Sequence, residues 1–189
     1  MGEIALIEAE GANINFWVNS PIWGEIKVDQ SIAHNGVCLT VVEIKDQIYK
    51  VTAIAETLSK TNLGELTIGS KVNLERCMPA NGRFDGHIVQ GHIDDTANCT
   101  AIKEENGSWL FHFGLNQKQQ EKLIVNKGSI CVNGVSLTVV EAQEMGFYVA
   151  IIPYTYKHTV FKYLTIGSRV NIEFDILGKY IQKQLADRA

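Results

Sequence analysis

The chain has 189 residues, 46% of them hydrophobic and 20% charged, with 17 basic against 21 acidic side chains and a net charge of −4. That composition is ordinary for a soluble globular protein, and without a basic run to neutralise phosphates it excludes sequence-independent nucleic-acid binding. No apolar stretch reaches the roughly 18 residues of a membrane-spanning helix, and no secretory leader is read at the front, where Glu3, Glu8 and Glu10 stand. Cys38, Cys77, Cys99 and Cys131 are scattered without CxxC spacing, so neither a zinc site nor a disulfide framework is expected, and reduced thiols in a cytoplasm are the simplest reading.

In chain order, residues 37–42 and 48–51 are short, alternating and rich in β-branched side chains, which predicts strands. Residues 57–64 carry Ser and Thr capping residues and end on Gly64, which predicts a short helix. A strand follows over 71–75, and 89–97 is expected to open the second half of the chain as its first strand. Residues 109–113, 147–152 and 169–173 read as further strands, with short helices over 117–123 and 155–162. Asn35-Gly36, Asn106-Gly107 and Asn133-Gly134 supply turns between them. In the tail, Leu177, Tyr180, Ile181 and Leu185 recur on one helical face.

The chain contains itself twice. Asn35-Gly36-Val37-Cys38-Leu39-Thr40-Val41-Val42 returns as Asn133-Gly134-Val135-Ser136-Leu137-Thr138-Val139-Val140. Thr67-Ile68-Gly69-Ser70-Lys71-Val72-Asn73-Leu74-Glu75 returns as Thr165-Ile166-Gly167-Ser168-Arg169-Val170-Asn171-Ile172-Glu173, at the same offset of 98 residues. A period that long is a duplicated domain rather than a solenoid repeat. Short strands at this spacing predict an all-β chain of two homologous six-stranded antiparallel Greek-key barrels plus a C-terminal α-helix, since barrel closure removes sheet edges. The expected division is 1–87, 88–175 and a helix over 176–189 that lies outside both repeats and serves oligomerisation. Applied to the 89–97 strand, the offset of 98 puts its counterpart before Met1. The first unit is therefore expected to lack about eight residues of its opening strand.

Few residues announce chemistry alone. His87 and His92 flank a junction, and a buried, satisfied histidine is the plainer reading for each. Ser136 has Cys38 as its copy and no His or Asp beside it in sequence. Asp175 has Cys77 as its counterpart.

Taken together, however, Asn35-Gly36-Val37-Cys38-Leu39-Thr40-Val41, Glu56-Thr57-Leu58, Thr61-Asn62-Leu63-Gly64, Gly69 to Arg76, Gly86-His87-Ile88-Val89-Gln90-Gly91-His92-Ile93-Asp94, Val132 to Thr138, Ile152-Pro153-Tyr154-Thr155 and Val170 to Asp175 resemble the riboflavin synthase alpha-chain family. The match runs over nearly the whole chain. It implies a homotrimer without metal or organic cofactor. The implied reaction dismutates two molecules of 6,7-dimethyl-8-ribityllumazine, one giving a four-carbon unit and the other receiving it. It also allows association with lumazine synthase.

Carried over by motif, the first pocket is Ser31, Cys38, Leu39, Thr40, Thr52, Ala53, Ile54, Ala55, Glu56 and Thr57, reached by Gly91, His92 and Ile93. The second is Lys127, Ser136, Leu137, Thr138, Ile152, Pro153, Tyr154, Thr155, Tyr156 and Lys157. The catalytic candidates are His92, Ser136, Cys38 and Asp175. His92 would act as base or orient a water, Cys38 and Ser136 would divide donor from acceptor, and Asp175 would orient Ser136. Members of the family begin with a Met-Phe-Thr-Gly-Ile type strand that lines the first pocket, and this sequence begins after it. A relative of the same fold, a lumazine or flavin antenna, binds without turnover. Both copies here keep Asn-Gly-Val-(Cys/Ser)-Leu-Thr, which favours the enzyme.

Overall fold

The computed structural model describes residues 1–186. The last three positions of the expected tail helix lie outside the described residues. The first unit consists of β1 (Gly2–Glu10), β2 (Asn13–Asn19), β3 (Ser31–His34), β4 (Val37–Lys45), β5 (Ile48–Ala53), α1 (Ala55–Lys60), β6 (Lys71–Val72) and β7 (Leu74–Arg76). The second consists of β8 (Asp95–Glu105), β9 (Ser108–Leu115), β10 (Ser129–Val132), β11 (Val135–Gln143), β12 (Gly146–Ile151), α2 (Pro153–His158) and β13 (Arg169–Phe174). The chain continues into α3 (Ile176–Ala186).

The second sheet is a closed antiparallel barrel in the order β10-β11-β12-β9-β8-β13, and the first runs β6-β1-β2-β5-β4-β3-β7. Because β6 and β7 follow one another through Asn73, the two outer positions of that sheet are one interrupted strand, and the topology is the same. The β-bulges repeat as well, at Ile4/Leu6 and Cys99/Ala101, and at Val41/Glu43 and Val139/Glu141.

These bulges correct the offset that applies at the front of each unit. Ile4 and Cys99 are structurally equivalent: each exchanges hydrogen bonds with its own Ile-Gly-Ser turn, through Ser70 and Gly69 in one unit and Ser168 and Gly167 in the other. The offset at the front of each unit is therefore 95. It becomes 98 only beyond a 3₁₀ helix that spans Lys118–Leu123 in the second unit and only Trp23–Glu25 in the first. β1, which matches β8 from Ala97 onward, pairs with both β2 and β6. The expected strand over 89–97 begins only at Asp95. Before it, the backbone N–H groups of Gln90, Gly91 and His92 are taken by the Glu173 side chain rather than by a neighbouring strand.

Each barrel has its own core. Phe16, Val18, Tyr49, Val51 and Leu63 fill the first. Phe111, Phe113, Phe147, Val149 and Phe161 fill the second, where the rings of Phe111 and Phe161 meet edge-on at 5.3 Å. Two of the three predicted short helices are present as one α-helical turn and a half followed by a 3₁₀ turn capped by Thr61 or Thr159, and the one over 117–123 is a 3₁₀ helix.

The barrels meet about a local two-fold. The hairpin turns Asn35-Gly36 and Asn133-Gly134 have positive φ at both residues, as two-residue type I′ turns require. A Cβ on Gly36 would stand 2.7 Å from the Gly134 nitrogen, and one on Gly134 would stand 2.8 Å from that of Gly36. Asparagines complete the contact. The Asn62 backbone N–H donates to Asn171 Oδ1 at 2.7 Å, and the Val160 N–H donates to Asn73 Oδ1 at 2.9 Å. Asn171 Nδ2 reaches Asn35 O at 2.9 Å, and Asn73 Nδ2 reaches Asn133 O at 2.8 Å.

Candidate functional site

Strand alternation turns every second residue of β4 and β11 outward, and the outward rows face the cleft between the barrels. On the first barrel, Cys38 pairs with Ala33 and Ala33 with Glu75. Beside that row lie Thr40, its partner Ser31, and Cys77, whose thiol reaches Ser31 O at 3.3 Å. On the second barrel the corresponding rows are Ser136, Cys131 and Glu173, then Thr138 and Ser129 at the level of Asp175.

The segment Arg76–Gly91, which joins the barrels, arches over this cleft as a strap and encloses a cavity of about 790 Å³ bordered by Cys38, Glu75, Cys77 and Ser136. That volume is within the range of small-molecule sites. Two anchors hold the strap. Glu173, only 2% exposed, accepts the Gln90, Gly91 and His92 N–H groups at 2.7, 2.9 and 3.1 Å. Gly91 O accepts the Cys38 N–H at 2.9 Å, and Gly91 itself has φ +79, where a Cβ would strike Cys38. Ile93 then packs against the first barrel's core.

At the other end of the strap, Ser136 Oγ receives the His87 backbone N–H at 3.3 Å and lies 2.7 Å from His87 Nδ1. Burial lowers the His87 imidazole pKa, opposed by the charges of Asp175 and Glu173. Burial, reinforced by Glu173, raises the Cys131 thiol far out of the reactive range. All four cysteines are free. Among the described residues no group of three or more His, Cys, Asp or Glu side chains is gathered as for a metal ion, and no helix is long and apolar enough to cross a membrane.

A family model of the lumazine-binding domain matches residues 1–77 and again 90–175. The chain is 44% identical to the riboflavin synthase of Bacillus subtilis (strain 168), over 88% of this chain and 77% of that one. It is 42% identical to the riboflavin synthase of Actinobacillus pleuropneumoniae over 98% and 86%. The chain belongs to the riboflavin synthase family. Among solved structures, LumP complexed with riboflavin superposes with a TM-score of 0.84 at 26% identity, covering 92% of this chain and 94% of that one.

Of the positions the synthase family points to, Ser31, Cys38 and Thr40 stand together on one outer face, and Gly91 and Ile93 reach that barrel. Leu39 and Ala53 are buried in the first core, while Leu137 and Tyr156 pack against the second, Tyr156 stacked on Trp109 at 3.8 Å. Leu39 and Ala53 thus offer a ligand only their backbone, while Leu137 and Tyr156 are partly exposed. Thr52 donates its hydroxyl to Asn15 on β2, away from the Cys38 row.

Ile54 and Ile152 are the exposed N-caps of α1 and α2, which carry Ala55, Glu56 and Thr57, and Pro153, Tyr154, Thr155 and Lys157. Glu56 is paired with Lys60 at 2.8 Å. Tyr154 is 70% exposed and stacked on His158. Lys127 sits at φ +64 on an exposed loop, its N–H bound to Val139 O.

His92 gives its N–H to Glu173, and its ring is exposed with no hydrogen bond among the described residues. Asp175 accepts the Leu177 N–H at 3.0 Å and caps α3, so the side chain bound to Ser136 is that of His87. Sequence reasoning read His87 as a buried, satisfied histidine and gave Glu173 and Cys77 no role. The His87 contact spans 49 residues, whereas Cys77 stood out as the counterpart of Asp175 and Glu173 as the repeat copy of Glu75.

Proposed function

We propose that this chain is itself a riboflavin synthase, converting two molecules of 6,7-dimethyl-8-ribityllumazine into riboflavin and 5-amino-6-(ribitylamino)uracil by transfer of a four-carbon unit. The observation that carries this is the 42–44% identity to riboflavin synthases over 88–98% of the chain, together with the Asn-Gly-Val-(Cys/Ser)-Leu-Thr hairpin in both barrels. A reaction that consumes two copies of one substrate is served by two homologous pockets. Holding the rings face to face contributes roughly 7–11 kcal/mol towards the barrier.

The outward hydroxyls of Ser31, Thr40 and Thr138, and strand-end backbone groups, suit the carbonyls and ring nitrogens of a pteridine and the hydroxyls of a ribityl chain. In this reading His92 orients substrate or water at the first pocket, and the Cys38/Ser136 difference separates the two substrate roles. The reacting pair sits between the first barrel of one subunit and the second barrel of a neighbour in a homotrimer. Support for an assembly comes from α3. Lys179 ties it to Asp94 at 2.6 Å, while Leu177, Tyr180, Ile181 and Leu185 are 61–66% exposed along one face. A cytoplasmic location fits the four free thiols, and association with lumazine synthase fits the shared intermediate.

The test mixes purified protein with the lumazine and follows the long-wavelength absorbance of riboflavin. Product formation is expected. Tight binding without product would replace this reading with that of a lumazine or flavin carrier.

A further inference from the structure

Besides Glu173, the Ser136 hydroxyl is the group of the second barrel's outer face that holds the strap. Gly86 makes room for it, since a Cβ there would stand 2.5 Å from Ser136 Oγ. The next residue supplies both contacts, the His87 N–H at 3.3 Å and Nδ1 at 2.7 Å. Oγ already accepts one N–H, so its own proton is the one directed at Nδ1. A neutral His87 then carries its proton on Nε2, a buried atom without a partner among the described residues. Glu173 and Asp175 act on the ring from β13 and the residue after it, and their charges favour the imidazolium. Arg76, Arg83 and Asp85 of the strap, and Glu75 across the same cavity, complete the charged surroundings.

We infer that His87 is a positioning residue that acts through Ser136, the pair serving as the proton acceptor of the second pocket. This rests on the synthase reading, and it assigns the deprotonation to a histidine other than the exposed His92. The 7-methyl group of a bound lumazine is acidic because its anion delocalises into the ring. When that C–H bond breaks, the electron pair stays on the pteridine and the proton passes to Ser136 Oγ. The Oγ proton moves at the same time to His87 Nδ1. The products are the substrate anion and an imidazolium facing two carboxylates, with Ser136 again a hydroxyl. The relay needs neutral His87, so its acid limb falls below the ordinary histidine pKa, in the direction burial moves this ring.

The experiment compares wild type, His87→Asn and Ser136→Ala in lumazine turnover across that acid limb, with riboflavin binding measured alongside. In His87→Asn the amide oxygen would stand where Nδ1 stood and keep the hydrogen bond without accepting a proton. This variant is expected to lose about a hundredfold in kcat with KM nearly unchanged and to lose the acid limb. Ser136→Ala should lose the same limb, and the double variant should be no slower than either single one.

His87→Asn turning over at the wild-type rate would overturn the proposal, since pinning Ser136 would then suffice. So would a Ser136→Ala variant that retains the wild-type limb, which also decides the matter if His87→Asn does not fold. A wild type that makes no riboflavin fails the synthase reading instead. The pair is then tested by the His87 imidazole titration in NMR, where no change on Ser136→Ala overturns it.

Discussion

The two barrels share strand order and bulge positions, yet they treat equivalent residues differently. Glu173 is buried and binds three backbone N–H groups of the strap. Its copy Glu75 is exposed and receives no hydrogen bond among the described residues. Where the second core has Val132 and Phe147, the first has His34 and Tyr49, the imidazole Nε2 lying 2.8 Å from the phenol oxygen. The outer rows replace Ser136 and Asp175 with Cys38 and Cys77. Duplication has thus kept the backbone and reassigned polar positions both in the core and on the faces that meet the cleft and the strap.

The contact between the barrels should be the most sensitive point of the comparison. Gly134→Ala puts a Cβ 2.8 Å from the Gly36 nitrogen at φ +81, combining overpacking with left-handed strain. A loss of about 3 kcal/mol is expected in urea unfolding. A tolerated Gly134→Ala would mean that the barrels do not depend on this approach.

A loss of similar size separates the cores by pH. Burial holds the folded His34 imidazole neutral, lowering its pKa from 6.5 to about 4. Below pH 6.5 only the unfolded chain takes up that proton, so stability falls with pH down to about 4, where the folded imidazole protonates as well. The loss over that window is about 3 kcal/mol. Installing the second barrel's pair, His34→Val with Tyr49→Phe, should flatten the dependence of the urea midpoint on pH. An unchanged slope would place its origin elsewhere.

A smaller effect sharpens the glutamate contrast. Glu173→Gln loses charge-assisted bonds to buried N–H groups and should cost about 2 kcal/mol. Glu75→Gln should leave the urea midpoint unmoved. Equal effects from the two would erase the distinction.

The sequence made the doubled barrel legible because hairpins such as Asn35-Gly36 and strands such as β4 are local patterns, and a strict repeat fixes their spacing. It misnumbered the front of each unit by three residues because a length change in a 3₁₀ turn shifts the offset from 98 to 95, and that turn has no repeat motif to reveal it. On the site, Ser31, Cys38, Thr40, Ser136 and Thr138 were legible through alternation and motif. Leu39, Ala53 and Leu137 came with the same motifs, yet their side chains turn inward, since alternate residues of a strand face opposite sides, and Tyr156 on α2 turns back to stack on Trp109. Glu173 and His87 were not legible. Their partners lie 81–83 and 49 residues away, and neither residue type nor spacing announces a bond to a strap.

The contact at Gly36 and Gly134 has a consequence for assembly. Each barrel offers the other the same elements: an Asn-Gly turn, an Asn side chain, and a backbone N–H just after a Thr cap. A surface that complements its own copy through a two-fold is isologous. The key groups at its centre are main-chain atoms and asparagines present in both halves, and the Asn62/Val160 difference leaves the bonding N–H in place. One barrel therefore holds both sides of the joint, and two separate copies would meet as the fused halves do. Covalent linkage adds to that pairing the freedom for the two cleft faces to differ.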